Sequence, residues 1–352
     1  MTITKSNIIK TLLLLFLVFA GLHYAKAILM PLTIAGVLAT LFFPFCKWME
    51  GKKVPKGLAV LICVLILLII IAGVSLLLGW QISNLAKDFP LIKQKSITIL
   101  DRIQDYIFNH SDISAEEQFQ IIKEEQPSYS NIFQTIIGSF TYIFTNLLFT
   151  LVYLFCFLYY RSHIKQFILK LTSSADRLEM EQVIYNAALI SQQYLVGLSK
   201  MIVCLWIMYS IGFSILGVKH AFFFALLCGL LEIVPYIGNI LGTSLTVFVS
   251  AGQGASVQML GGIIIVYGIV QLIQGWILEP LIVGHQVKIN PFTTIIALVI
   301  GELVWGIPGI FLAIPLIAMI KIACDHIEPL KPYGFLIGPT ESKKKKKQIT
   351  KT

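Results

Sequence analysis

Residues 277–321 read ILEPLIVGHQVKINPFTTIIALVIGELVWGIPGIFLAIPLIAMIK, two apolar segments joined by a short polar turn. In the wider stretch 261–323, these segments have the length needed to cross a hydrocarbon core, which takes about 20 residues. Two carboxylates, Glu279 and Glu302, are set into them. A carboxylate at the centre of a bilayer costs about 2.5–3.5 kcal/mol on insertion scales, so both acids are candidate functional residues.

The composition of the chain is typical of a membrane protein. Of its 352 residues, 57% are hydrophobic and 13% are charged, whereas soluble domains hold about 25% charged residues. The formal net charge of +9 is concentrated in 47–56, 161–177 and 343–347. Basic clusters beside hydrophobic runs favour cytoplasmic loops and anionic lipid over a nucleic-acid groove. We predict an all-α, polytopic integral membrane protein that does not bind nucleic acid.

The hydrophobic runs predict about eight transmembrane helices, the sixth of them broken, and an extramembrane amphipathic helical excursion. Lysines at both ends and an even number of crossings predict that both termini are cytoplasmic. The predicted regions are transmembrane helices 1–3 in 1–80, the excursion in 81–135, transmembrane helix 4 in 136–160, cytoplasmic amphipathic helices in 161–200, transmembrane helices 5–8 in 201–323, and a basic cytoplasmic tail in 324–352.

The predicted excursion is rich in charged residues: 81–131 carries five Lys/Arg and eight Asp/Glu. Its isoleucines recur at helical spacing, and Ser114 with Glu117 forms a capping box. The acidic balance favours the non-cytoplasmic side. We expect a helical hairpin packed on the membrane region or on a neighbouring subunit, with ligand gating as the alternative.

The predicted sixth helix, 221–249, is interrupted at Glu232-Ile233-Val234-Pro235-Tyr236-Ile237-Gly238. Proline removes a backbone donor and glycine loosens the helix, so an unwound segment is expected there. Unwound carbonyls beside Glu232 are suited to cation coordination, as in other broken membrane helices. The break therefore contributes Glu232, Pro235, Tyr236 and Gly238 to a candidate substrate- or ion-binding site.

Carboxylates are scarce in this half of the chain, because 182–324 holds only Glu232, Glu279 and Glu302. Each has a structural alternative: Glu232 as a helix-end acid facing water or paired with a lysine, and Glu279 as a cap or a partner of Lys288. Glu302 lies about ten residues into the last predicted helix, 292–322, and is the deeper of the two acids in 261–323.

Three polar side chains, Tyr267, Gln271 and Gln274, fall on one face of the predicted seventh helix, 261–278. Polar side chains in this position are suited either to lining a transport path or to hydrogen bonding between helices. A glycine every seven residues (Gly261, Gly268, Gly275) predicts close approach of another helix on an adjacent face. Glu279-Pro280 is expected to end this helix.

The six cysteines are single and widely spaced, without a CxxC or a Cys/His cluster. Such cysteines are expected to act as small hydrophobic residues, and the pattern predicts no disulfide framework, no metal site and no cofactor.

Three groups of residues together resemble the autoinducer-2 exporter (AI-2E) family of bacterial membrane proteins. They are Pro235 to Gly238; Glu279-Pro280 with Gly284; and Gly301 through Gly306, Gly309, Ala313 and Pro315 to Lys321. The resemblance implies a homo-oligomeric secondary transporter in the bacterial inner membrane with a core in 201–323. Members of the family are linked to export of a small furanosyl signal or to cation/proton antiport.

The chain departs from the family pattern at Asn239, Pro308 and Glu302. Relatives often have proline at the first position and an apolar residue at the second, so these departures are expected to change the local backbone only. Glu302 stands where a small or apolar residue is expected, and it bears on the identity of the substrate.

The leading hypothesis is proton- or cation-coupled transport, with export of a small polar solute or cation/proton antiport as its two forms. The hypothesis includes coupling to protons or sodium and contacts with membrane lipids. The alternatives are a passive channel formed by an oligomer and a non-transporting membrane scaffold that holds partners through 81–131. We predict no enzymatic activity and no catalytic residue, because no nucleotide-binding P-loop, HExxH motif or pair of intramembrane aspartates occurs.

Overall fold

A computed structural model describes residues 5–108, 129–174, 176–233, 237–283 and 289–339. Most of these residues are helical, and no β-strand occurs among them. The all-α class predicted from the composition is therefore confirmed. The predicted capping box at Ser114 and Glu117 lies outside the described residues, as do Pro235, Tyr236 and Lys288.

The helices of the described residues are numbered here in chain order. The first five are α1 (Lys5–Tyr24), α2 (Lys26–Gly51), α3 (Lys56–Phe108), α4 (Tyr129–Leu171) and α5 (Arg177–Ile215). The next three are α6 (Ala221–Leu231), α7 (Ile237–Gly252) and α8 (Val257–Ile273), and α8 leads into a π-helical segment (Gln274–Val283). The last are α9 (Pro291–Trp305), α10 (Ile307–His326), a 3₁₀ turn (Glu328–Leu330) and α11 (Lys331–Ile337).

Six helical stretches of the described chain are long and apolar enough to cross a membrane. They are Lys26–Gly51, Lys56–Asn84, Phe144–Leu171, Arg177–Ile215, Val257–Glu279 and Ile307–His326. Shorter apolar helices accompany them, such as Ala221–Leu231 and Pro291–Trp305. A polytopic membrane protein is thereby confirmed, while the count of about eight transmembrane helices stays a prediction.

The helix α3 continues beyond residue 80, where the sequence predicts the end of the third membrane helix. Its 53 residues correspond to about 80 Å at 1.5 Å per residue. A hydrocarbon core is about 30 Å thick, so α3 is longer than one crossing requires, and the extramembrane position of 81–135 stays a prediction. The predicted excursion thus begins as a continuation of a membrane helix.

The residues divide into two compact units, described separately below. The first comprises 1–67, 146–200 and 278–352, and the second comprises 68–145 and 201–277. In the first unit, small and aliphatic side chains of α2, α3 and α4 form a core that includes Ala35, Val60 and Leu154. An ion pair between Glu50 and Arg161 connects α2 to α4.

Two cysteines of this core lie next to each other. The sulfur atoms of Cys46 and Cys63 are 3.1 Å apart, and both side chains are fully buried. Both are free thiols. Their burial fits the expectation of small hydrophobic residues, and the turn between α2 and α3 brings the two positions together. Cys228 and Cys324 are buried as expected, whereas Cys156 is exposed.

In the second unit, α6 and α7 form an antiparallel helical hairpin. Gly242 packs against Cys228, and Gly238 packs against the end of α6. A Cβ atom at Gly238 would lie 1.7 Å from the carbonyl oxygen of Leu231, so only glycine allows this contact. The predicted break in 221–249 is confirmed, but the two halves fold back on each other instead of continuing in one direction.

A second helical hairpin, α9–α10, lies in the first unit and corrects the prediction of one helix over 292–322. The chain reverses at Gly306, whose φ of 67° and ψ of −143° lie outside the helical region. Glycine adopts this conformation without steric cost. A Cβ atom at Gly309 would lie 1.8 Å from the carbonyl oxygen of Gly301, so the two helices contact each other directly through their backbones.

The end of α8 also differs from the prediction. Glu279-Pro280 does not end the helix, because helical backbone continues to Val283. From Gln274 onward the hydrogen bonds change from i→i−4 to the wider π spacing. Short π segments inside α-helices occur frequently at functional sites.

Candidate functional site

The candidate site of the second unit is centred on Glu232, the residue that follows α6. Its side chain is buried, with 6% of its surface exposed. One carboxylate oxygen, Oε2, accepts a hydrogen bond from Nδ2 of Asn239, and the other, Oε1, accepts one from Nε2 of Gln274. Three separate elements, namely the end of α6, the first turn of α7 and the start of the π segment, thus meet at one carboxylate.

Further amide contacts join these side chains into a network. Oε1 of Gln274 accepts hydrogen bonds from Nδ2 of Asn239 and from Nε2 of Gln271, both at 3.3 Å. We name Glu232, Asn239, Gln271 and Gln274 the carboxylate–amide cluster. Hydrogen bonds in a low-dielectric interior are electrostatically stronger than in water, so such a network fixes the position of the carboxylate.

The local backbone explains how this cluster forms. Gly238 allows the start of α7 to contact the last turn of α6, and this places Asn239 beside Glu232. The positive end of the α7 dipole faces the same region and favours a negative charge there. On α8, Gln271 precedes the π segment by one turn, and Gln274 is its first residue.

Tight packing surrounds the cluster on the remaining sides. A Cβ atom at Gly212 of α5 would lie 2.5 Å from Cγ1 of Val266, and one at Gly229 would lie 2.2 Å from the ring of Trp206. The indole nitrogen of Trp206 donates to the carbonyl of Leu226 at 3.0 Å. Glycines on α5 and α6 therefore let α5, α6 and α8 approach each other closely.

Four of the predicted site residues are brought together in this unit: Glu232, Gly238, Gln271 and Gln274. Tyr267 lies on the same face of α8 as Gln271 and is half-buried. Pro235 and Tyr236 lie outside the described residues, so their predicted roles stay predictions.

The other two predicted carboxylates lie in the first unit and have a different environment. The side chain of Glu279 is exposed on the π segment, and that of Glu302 is exposed on α9. The backbone carbonyl of Glu302 accepts a hydrogen bond from the N–H of Gly306 at 2.7 Å, which closes the last turn of α9. Their predicted part in a binding site stays a prediction.

Asn239 is the residue that sequence reasoning missed. Its departure from the family pattern was expected to change only the local backbone, but its side chain donates to Glu232. The sequence holds one signal for it, since Asn239, Thr243, Thr246 and Ser250 recur at helical spacing in an apolar segment. A polar stripe of this kind indicates a face turned toward other polar groups.

The arrangement can bind a proton or a small polar ligand. A buried carboxylate held by amide donors has two protonation states that differ by one charge, and carboxylate oxygens are able to accept hydrogen bonds from a polar solute or to coordinate a cation. Ionisable residues within membrane segments mark proton relays and the paths of ions and substrates. A polytopic helical protein with such a group beside a broken helix belongs to the class of membrane transporters.

Comparison with known proteins identifies the family. Residues 12–328 match the family described as AI-2E family transporter, and the chain belongs to that family.

Bacterial transport proteins are similar to the chain over most of its length. It is 25% identical over 323 residues to "Putative transport protein YueF" of Bacillus subtilis (strain 168), covering 85% of this chain and 84% of that protein. It is 25% identical over 334 residues to the AI-2 transport protein TqsA of Escherichia coli (strain K12), covering 92% and 93% of the two chains. A "Putative transport protein" of Borreliella burgdorferi is 26% identical over 337 residues, covering 94% of this chain and 90% of that protein.

Proposed function

We propose that the protein is a secondary active transporter in which protonation of Glu232 is coupled to the movement of a small polar solute or a cation. The transport is export of the solute or antiport of a cation against protons. The observation that carries the proposal is the burial of Glu232 within the carboxylate–amide cluster.

The chemistry of the cluster supports coupling. When Glu232 is ionised, it accepts hydrogen bonds from the amide nitrogens of Asn239 and Gln274. When Glu232 is protonated, one oxygen becomes a donor and the amides must find other acceptors. A polar solute or a cation that replaces one amide contact therefore binds the two protonation states differently, and this difference in affinity is what coupling requires.

Two further features belong to the proposal. We place the protein in the bacterial inner membrane with both termini in the cytoplasm, since the lysine-rich connection between α2 and α3 is typical of a cytoplasmic loop.

We also propose a homo-oligomer. A Cβ atom at Gly261, Gly268 or Gly275 would meet no atom within 4 Å, so no described helix of the same chain packs closely on this glycine stripe.

The test is a flux screen with the purified protein in liposomes. Sodium, potassium and a furanosyl diol of the AI-2 type are offered under imposed pH and sodium gradients. Accumulation against a gradient distinguishes a coupled transporter from a passive channel. A charged hydrogen bond contributes about 1.5–3 kcal/mol, so Glu232→Gln should lower gradient-driven flux by about ten- to hundredfold.

The matched control is Glu179→Gln, which makes the same change at an exposed position and should retain the wild-type response to pH. Full, pH-dependent flux in Glu232→Gln would remove Glu232 from the mechanism. Flux that never exceeds equilibrium in the wild-type protein would favour the channel.

A further inference from the structure

One face of α7 is polar and buried, while the opposite face is apolar and exposed. The polar face consists of Asn239, Thr243, Thr246 and Ser250, each exposed by 6% or less. The exposed face includes Leu241, Leu245 and Phe248. This is the reverse of a helix on the surface of a soluble protein, and it directs hydrogen-bonding groups into the second unit. We name these four residues the α7 polar stripe.

Three oxygen atoms of this stripe are buried without a hydrogen bond among the described residues. They are Oδ1 of Asn239, Oγ1 of Thr243 and Oγ of Ser250. The hydroxyl of Thr246 differs, since it donates to the carbonyl of Gly242 at 2.8 Å. The thiol of Cys228 is a hydrogen-bonding neighbour of Thr243 and Thr246. Sulfur is a weak partner, so the hydroxyl of Thr243 still has no nitrogen or oxygen partner. Buried polar atoms in native proteins nearly always have partners, and ordered water is a common one.

The spacing of these oxygens fits water. At 1.5 Å per residue, Asn239 and Thr243 are separated by about 6 Å along the helix, and Thr243 and Ser250 by about 10 Å. Hydrogen-bonded oxygens lie about 2.8 Å apart, so one water fits between the first pair and about three fit between the second.

The stripe ends at the carboxylate. Asn239 donates to Glu232 through Nδ2, and its Oδ1 is the first unpartnered oxygen of the stripe. The other end, Ser250, lies two residues before the end of α7 at Gly252. The unpartnered oxygens therefore extend from the buried carboxylate to the far end of the helix.

We propose that Asn239, Thr243 and Ser250 hold a file of water molecules through which protons reach Glu232. This inference rests on the proposed function, and it adds the route by which the proton reaches Glu232. Each water accepts one proton and releases another, and the last proton binds a carboxylate oxygen of Glu232. Only O–H bonds form and break, and no group is oxidised or reduced.

Other titratable groups surround Glu232, and an experiment must separate their signals. They are Tyr209 on α5, Cys228 on α6 and Tyr267 on α8. An infrared band of a protonated carboxyl group that is present in the wild-type protein and absent from Glu232→Gln belongs to Glu232 alone.

The first experiment is a structure of the full-length protein at a resolution that shows ordered water. We expect water within about 3 Å of the three unpartnered oxygens. The absence of ordered water along the α7 polar stripe would overturn the inference, and so would density for a larger molecule where the water is expected.

The second experiment measures how fast Glu232 takes up a proton. The infrared band of Glu232 is followed after a rapid drop in pH, with the protein in lipid and without any solute. The double variant Thr243→Val/Ser250→Ala removes two hydroxyls with little change in volume, and we expect the band to appear about tenfold more slowly.

Two controls keep this result interpretable. Ser244→Ala removes an exposed hydroxyl from the same helix, and Thr243→Ser keeps the hydroxyl, so both should protonate at the wild-type rate. A wild-type rate in the double variant would overturn the water file and leave the role of Glu232 intact. Absence of the Glu232 band at every pH would instead overturn proton exchange at Glu232, and with it the proposed function.

Discussion

The α6–α7 and α9–α10 hairpins share a backbone arrangement but place their glutamates in different environments. In both, glycine allows contact with backbone atoms of the facing helix: Gly238 meets the carbonyl of Leu231 in the first hairpin, and Gly301 and Gly309 meet each other in the second. Each hairpin also has a glutamate near its tip. Glu232 is buried among amides, whereas Glu302 is exposed.

This difference shows that the scarcity of carboxylates in an apolar sequence does not determine their environment. Glu232 is buried because Gln274 and Asn239 come from other elements to meet it. Glu302 has no comparable polar stripe on the facing helix, since α10 is almost entirely apolar at 307–320. The partner elements decide whether an acid near a hairpin tip is buried, and the following variants test this comparison.

The largest expected effect concerns the glycines that allow the hairpins to close. A methyl group at Gly309 or Gly238 would overlap a backbone carbonyl, which cannot move as a side chain does. We expect Gly309→Ala and Gly238→Ala each to lower the free energy of unfolding by about 3 kcal/mol. Thermal unfolding of each variant in detergent measures this loss of stability. Gly73→Ala is the control, because its new methyl group would meet no atom within 4 Å. Wild-type stability of Gly309→Ala would contradict the hairpin geometry.

The next effect separates the two glutamates. Glu232→Leu leaves the amide groups of Asn239 and Gln274 buried without their acceptor, which should cost about 2 kcal/mol of stability. Glu302→Leu changes an exposed side chain and should stay within about 0.5 kcal/mol of the wild type. Denaturant titration of both variants under the same conditions provides the measurement. Equal losses of stability would show that the two acids have similar environments, which would contradict the difference between the hairpins.

A smaller effect is expected at the base of the second hairpin. Asn290 caps α9 by accepting from the N–H of Thr293 at 2.8 Å, and its Nδ2 donates to the carbonyls of Ile337 and Gly338. We expect Asn290→Ala to cost about 1–2 kcal/mol in thermal unfolding. Asn290→Asp keeps the cap and loses the donors, so an intermediate stability would separate the two contributions. No loss in either variant would show that this contact does not hold the hairpin.

The smallest effect concerns the tip of the same hairpin. The indole nitrogen of Trp305 donates to the carbonyl of Leu22 on α1 at 3.0 Å. Trp305→Phe should therefore cost about 1 kcal/mol. Trp276→Phe is the matched control, since Trp276 is 82% exposed. A larger loss in the control than in Trp305→Phe would show that the attachment to α1 contributes nothing.

Much of the first hairpin could be predicted from the sequence. Pro235 and Gly238 indicated the break, and the spacing of Gln271 and Gln274 indicated one polar face, because both signals are local. The reversal at Gly306 could not be predicted in the same way. A glycine inside an apolar helical run is tolerated at low cost, and only its positive φ distinguishes a reversal from a continuous helix.

The exposure of Glu302 and the role of Asn239 depend on tertiary contacts. Asn239 reaches Glu232 because two helices fold back with a particular register, and residues seven positions apart give no local sign of that. The proximity of Cys46 and Cys63 has the same origin, since the turn between α2 and α3 sets it.

The contact between Gly301 and Gly309 also has a mechanical consequence. Side chains that pack against each other can exchange rotamers and let helices slide, but a contact between backbone atoms has no such freedom. A one-step shift of α9 along α10 would push a side chain into a carbonyl group. The hairpin is therefore stiff against shear, and any movement it makes during the working cycle should carry both helices together as one rigid body.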